Sequence, residues 1–213
     1  MMDKLKVFIS HSKDHDLADS FKESFDTIGL ETFLEKNIIP STEWNPIIIK
    51  QLKESDIFVP LISGNLIRST YANQEIGMAI ATNKIIIPIK LDVHNPPGFI
   101  DKIQAYPYNG STSFYQVLNS VIQIFFFVAT SYKHLKQKAL NSVLSAFCNA
   151  NCFRTTSTTI SILEKLEETE GFTADQCRQI ISAMNKNDQI YNEQFNFPRF
   201  RQLIQSKYTS YLT

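Results

Sequence analysis

The chain has 213 residues, 43% hydrophobic and 20% charged, which suits a folded globular protein of one ordinary domain plus a smaller companion and excludes wholesale disorder. Its 21 lysines and arginines balance 21 aspartates and glutamates, and with no basic run a nucleic acid held through its phosphates is not an expected partner. The three cysteines, Cys148, Cys152 and Cys177, all lie in the C-terminal third and are odd in number, which fits free thiols in a reducing, cytoplasmic setting better than a disulfide framework.

Met1 leads directly into charged residues, so no signal peptide is expected. Leu5–Ser10 (LKVFIS) reads as a strand, and His11–Ser12–Lys13–Asp14 as the loop after it. Asp14 can cap a helix carrying Leu17, Phe21, Phe25 and Ile28 at helical spacing, with Gly29 as its stop. Glu31–Leu34 is a second short strand, followed by a loop, 35–42 (EKNIIPST), whose tip is Ile38–Ile39–Pro40. Trp44–Glu54 returns to helix, with Pro46 tolerated in the first turn. Ile57–Ile62 (IFVPLI) is a near-continuous apolar strand of the kind buried on both faces, and Ile85–Leu91 (IIIPIKL) is another. Pro60 and Pro88 count against central positions for these two strands unless each missing amide faces away from a neighbour.

Between those strands, Ser63–Ser69 reads as a loop, and a helix begins near Ser69 or Thr70, either of which supplies a capping hydroxyl. A Pro-containing loop follows at 92–98, then a weak element around Phe99–Gln104 and a short last strand at Ala105–Tyr108. From Ser113 to Ala129 the apolar spacing is that of a well-buried helix. Its greasiest run, Val121–Ala129, is about half the length of a membrane span, so no membrane partner is expected. Strand and helix alternating four or five times imply an α/β domain over 1–130, with a parallel sheet of four to five strands and flavodoxin-like layout. Beyond Thr130 only helices are expected, at Tyr132–Cys148, Thr158–Thr169, Thr173–Lys186 and Phe197–Tyr211, giving a small helical domain over 131–213. Thr173 and Gln176 have capping-box spacing there.

The stretch with the most chemistry is the helix from Thr70. Tyr71 and Glu75 are one turn apart, beside a small apolar stripe of Ala72, Ile76, Ala79 and Ile80. An aromatic ring next to a carboxylate on a rigid helix can stack a flat ring and contact sugar hydroxyls. The plain alternative is a surface glutamate resting on a half-buried tyrosine. Cys148, Cys152 and His134 form no convincing zinc set, because no further ligand pair completes it, so no metal is expected.

Four boxes together resemble TIR (Toll/interleukin-1 receptor) domains. Val7–Ser12 followed by Asp14 is similar to the family's first strand, and Ile28–Leu34 to its glycine and second strand. The stretch 36–44 falls where the BB loop would be, and Ser55–Ser63 resembles the third strand with its terminal Ser. Ser69-x-Tyr71-x-x-x-Glu75 resembles the family's Ser-x-Trp-x-x-x-Glu, with Tyr for Trp, and Ser41 stands after Pro40 where a Gly is usual. The resemblance covers about residues 3–130.

That resemblance implies one of two functions. Many bacterial and plant TIR domains cleave NAD⁺ at the nicotinamide–ribose bond to give nicotinamide and linear or cyclic ADP-ribose; animal receptor and adaptor domains mostly dock and commonly lack this Glu. Glu75 favours the enzymatic branch, with NAD⁺ as substrate and no separate cofactor, and with a role in prokaryotic immune or antiphage defence. A carboxylate there would stabilise an oxocarbenium-like ribose, and Tyr71 would stack on nicotinamide or orient Glu75. Ser10, His11 and Ser12 end the first strand, where ligands of open α/β sheets gather, and are candidates to line the ribose or phosphate site, though each serves equally as helix-cap chemistry. Glu35 is a candidate ribose contact or a solvated loop charge. The alternative function is a non-catalytic module that self-associates through Ile38, Ile39 and Pro40, and a separate trigger or effector protein is a further expected partner. A Ser/His/Asp hydrolase is disfavoured by the lack of a Gly-x-Ser-x-Gly elbow, and a phosphoryl receiver by Ser10 and Ser63 where acidic residues would stand.

Overall fold

Six short parallel strands make the sheet: β1 (Lys6–Ser10), β2 (Glu31–Leu34), β3 (Ile57–Ile62), β4 (Ile85–Ile86), β5 (Ile89–Lys90) and β6 (Tyr106–Pro107). Their order is β2-β1-β3-β5-β6, with β4 also on β3, so β4 and β5 are two pieces of one broken strand and the sheet is effectively five-stranded. The computed structural model describes residues 3–35, 44–108 and 114–209. The loop tip Ile38–Ile39–Pro40 therefore lies outside the described residues.

The sequence reads Ile85–Leu91 as one strand; the structure interrupts it at Ile87–Pro88, and the two prolines explain why. Carbonyls of Phe58 and Ile62 accept from the amides of Ile87 and Leu91, so the even positions of β3 face this neighbour. Pro60, lacking a donor, falls opposite the gap between β4, paired at Ile57–Phe58, and β5, paired at Leu61–Ile62. A proline thus sits in a central strand because its neighbour is discontinuous there.

The helices of this part are α1 (His15–Thr27), α2 (Trp44–Glu54), α3 (Gly64–Arg68), α4 (Thr70–Ala81) and α5 (Phe114–Ser131). Alternation along the strands sends Phe8, Phe58 and Ile62 to one face, where they bury Ile48 and Leu52 of α2 with Ala72, Ile76 and Ala79 of α4. The alternate residues of β1 and β3, among them Val7, Ile9, Ile57 and Val59, point to the other face, and there α1 meets α5, ring on ring at Phe25–Phe125, 4.9 Å apart. Gly29, at φ +84, supplies the left-handed turn from α1 into β2. By length and composition alone α5 could cross a membrane; here Val117, Leu118, Val121, Ile122, Phe125, Phe126 and Ala129 are buried within the protein.

The expected loop 63–69 is instead the short helix α3. Ser63 is its N-cap, accepting from the Leu66 amide, and the buried Leu66 anchors it. The weak element after the Pro-containing loop is a 3-10 turn at Gly98–Ile100 with Ile100 fully buried.

The chain divides into two units: Leu5–Asp26 with Leu30–Leu135, which carries the sheet, and Lys136–Thr213 with Met1–Lys4 and Thr27–Gly29. In the second, α6 (Lys136–Cys148) packs on α7 (Phe153–Glu170) and α8 (Ala174–Lys186), while α7 also meets α9 (Asp188–Tyr191) and α10 (Phe197–Lys207). The Thr173–Gln176 capping box is formed, and Gly171, at φ +71, ends α7. Helix α7 starts at Phe153, five residues earlier than its apolar spacing suggests, and α9 is too short to show a period. Tyr208, Lys207 and Glu167 tie α10 to α7: the Tyr208 hydroxyl donates to Glu167 and accepts from the Phe172 amide.

Candidate active site

β1 lies between β2 and β3, so its carboxyl end opens inside the sheet rather than at an edge. Ser10, its last residue, has the parity of Phe8 and therefore faces α4. Ser69 caps α4 through the Ala72 amide, fixing where the helix starts. At about 100° per residue, Glu75 falls within about 60° of Ala72 and Ala79, on the flank of the stripe that lies against the sheet. Tyr71 is about 40° farther round. That rotation separates the two residues: Glu75 is buried at 8% exposure, whereas Tyr71 is 54% exposed.

The two buried side chains meet. The Ser10 hydroxyl donates to Oε2 of Glu75 at 2.5 Å, and Ser10 itself is 1% exposed. Burial pushes the Glu75 carboxyl up from its ordinary 4.5 to about 7; the Ser10 hydroxyl opposes that rise, and the nearby Glu35 carboxylate adds to it. Glu35, just past β2, is itself raised by burial. The plain alternative of a surface glutamate is thus not what the structure holds: Glu75 is a buried carboxyl, raised well above its ordinary range, at the carboxyl end of a parallel sheet.

His11 follows Ser10. The Glu35 backbone favours the protonated form of its ring, and Nδ1 is buried with no partner among the described residues. Burial holds its pKa below the ordinary 6.5, with His15, whose ring lies edge-on 4.9 Å away, acting in the same direction, so the ring is neutral at pH 7. Ser10, His11, Glu35 and Glu75 are therefore brought together. Ser12, partly buried in the bend after β1, is not bonded to Glu75, and Tyr71 stands at the open side one turn before it. Among the described residues no three His, Cys, Asp or Glu side chains are placed to hold a metal ion.

A family model described as TIR domain matches residues 7–118, more than half of the chain. The chain belongs to the TIR domain family. No curated protein matches it. In this TIR domain the central parallel sheet flanked by helices is the family's fold, and the matched span holds Ser10, His11, Glu35, Tyr71 and Glu75.

One cluster at the same end of the sheet is not singled out by sequence. The Ser63 hydroxyl donates to Asp14, tying the end of β3 to the start of α1. The Gly64 amide donates to Asp92, whose other oxygen takes the amide and ring of His94. Desolvation raises the Asp92 carboxyl, and the hydrogen bonds from Gly64 and His94 together outweigh it and hold Asp92 below its ordinary carboxylate range. Its only sequence signal is its place directly after a strand, in the row of loops where such sheets bind ligands.

Proposed function

We propose that this TIR domain cleaves the N-glycosidic bond of NAD⁺, with Glu75 as its catalytic carboxylate. The observation that carries the reading is Glu75 itself, a buried carboxyl held by one oxygen at the carboxyl end of the sheet, an arrangement that serves no packing purpose an apolar residue would not serve better. The bond from ribose C1′ to the nicotinamide nitrogen breaks, and its electron pair leaves with nicotinamide as a neutral molecule. The positive charge then sits on the ribose ring, where ionised Glu75 opposes it in a site of low polarity. Water adding at C1′ and losing a proton gives ADP-ribose; attack by a nucleophile within the same molecule gives a cyclic product. Because the leaving group departs from a cation, no strong general acid is needed. Tyr71, exposed beside the carboxylate, offers a ring face to nicotinamide.

Self-association through Ile38, Ile39 and Pro40 belongs to this reading, with the helical unit controlling assembly or sensing a trigger in cytoplasmic defence. The test is nicotinamide release from NAD⁺ by the purified full chain, both dilute and forced to oligomerise through a fused assembly tag. Wild type is expected to turn over and Glu75→Gln to lose about 100- to 1,000-fold, the usual cost of removing one preorganised electrostatic contact. Equal turnover by the two proteins removes Glu75 from the chemistry, and none by wild type in either state leaves the docking module as the function.

A further inference from the structure

We propose that Ser10 is a positioning residue for Glu75, gripping one carboxylate oxygen so that the other meets the substrate, and that Ser10 itself does not bind the substrate. The inference rests on the catalytic reading of Glu75 and adds to it a residue whose place at a strand end would otherwise make it a ligand contact.

Four observations carry it. Ser10 is 1% exposed, so a bound dinucleotide has almost no surface of it to touch. A serine hydroxyl has one proton, and that proton is directed at Oε2 of Glu75, 2.5 Å away. Oε1 of the same carboxylate takes no hydrogen bond among the described residues, which makes it the oxygen free to face the ribose. The contact joins residues 65 apart in sequence, from an interior strand of the sheet to α4, so it fixes the carboxylate against a strand paired on both sides.

A hydroxyl donating to a carboxylate also favours its ionised form. Two influences press the other way: burial, and the like charge of Glu35 at the end of β2. Among the described residues, Ser10 is the side chain bonded to Glu75 that offsets them. Removing the hydroxyl therefore has a signature that a packing defect lacks, an upward move in the Glu75 titration.

The experiment compares Ser10→Ala, Ser10→Thr and wild type in two measurements. The first follows the Glu75 carboxyl by carbon-13 NMR against pH in protein labelled at glutamate, its resonance identified by its loss in Glu75→Gln; no NAD⁺ is present. The second is steady-state nicotinamide release between pH 5 and 9. Ser10→Ala is expected to raise the titration midpoint by about one pH unit and to lower kcat at pH 7 about tenfold, part of which returns at pH 9. KM should stay within about twofold of wild type, since the hydroxyl is not a substrate contact. Ser10→Thr keeps the hydroxyl and should restore both midpoint and kcat. Should Ser10→Ala not fold, Ser10→Cys places a weaker donor at the same site and raises the midpoint by a smaller amount. An unmoved midpoint in Ser10→Ala overturns the proposal, and a raised KM with that unmoved midpoint makes Ser10 a ligand residue instead. If wild type fails to cleave NAD⁺, the catalytic reading falls on its own, while the NMR titration still decides whether Ser10 holds Glu75.

Discussion

Replacing Glu75 by Gln should stabilise the fold at alkaline pH and leave it unchanged at acid pH. A carboxyl whose folded-state pKa is raised from 4.5 to about 7 holds its proton more tightly folded than unfolded. Between those values the folded state binds more protons, so stability falls as pH rises through the window and levels off above it. At about 1.36 kcal/mol per pH unit, the displacement amounts to about 3 kcal/mol once Glu75 is ionised. Glu75 is deeply buried, so solvent screening removes little of this. Gln is neutral at every pH and keeps a carbonyl oxygen for the Ser10 hydroxyl, so it escapes the whole penalty. Urea unfolding of both proteins at pH 5 and pH 8.5 reads the difference. At pH 8.5 the midpoint of Glu75→Gln should lie about 1.5 M higher, taking an m value of about 2 kcal/mol per M, and the gap should close toward pH 5. The position of Glu75 early in α4 argues for a small loss instead, through the positive end of the helix, an effect of about 0.5 kcal/mol that burial outweighs. A variant no more stable than wild type at pH 8.5, or equally displaced at both pH values, would refute the buried, raised carboxyl.

Other outcomes follow from the same reading. For the wild type, kcat/KM for nicotinamide release should climb with pH through about 7 as free Glu75 ionises, and a flat profile from pH 5 to 9 would remove Glu75 from the chemistry. Tyr71→Ala should slow turnover less than Glu75→Gln and leave urea stability within about 0.5 kcal/mol, because the ring is more than half exposed; a larger stability loss would mean that it packs the fold. Ile39→Asp should reduce activity in dilute protein while sparing the melting temperature, and loss of both together would contradict an assembly role. In the helical unit, Tyr208→Phe should destabilise by about 1–3 kcal/mol, since it strips a donor from Glu167 and an acceptor from the Phe172 amide; an unchanged urea midpoint would show that the contact carries no weight.

Much of this protein is written locally. Short β-branched runs and 3.6-residue stripes placed the strands and helices in order, because period and propensity are properties of neighbouring residues. The parallel α/β layout followed from their alternation, and the TIR resemblance from Ser10, Gly29, Ser63 and the Ser69–Glu75 spacing read together. Caps were legible for the same reason: Ser69 and the Thr173–Gln176 pair act within one helical turn.

Tertiary structure decided the rest. Residue spacing puts Tyr71 and Glu75 on one helix face, and only the angle at which α4 meets the sheet turned one of them in and left the other out. The Ser10–Glu75 bond spans 65 residues and the Ser63–Asp14 bond 49, distances over which sequence period carries no information. Pro60 looked unfit for a central strand until its neighbour proved to be broken opposite it. Glu75's charge is likewise not a property of glutamate at that position: the burial that raises it and the hydroxyl that restrains it arrive from separate segments only when the chain has folded.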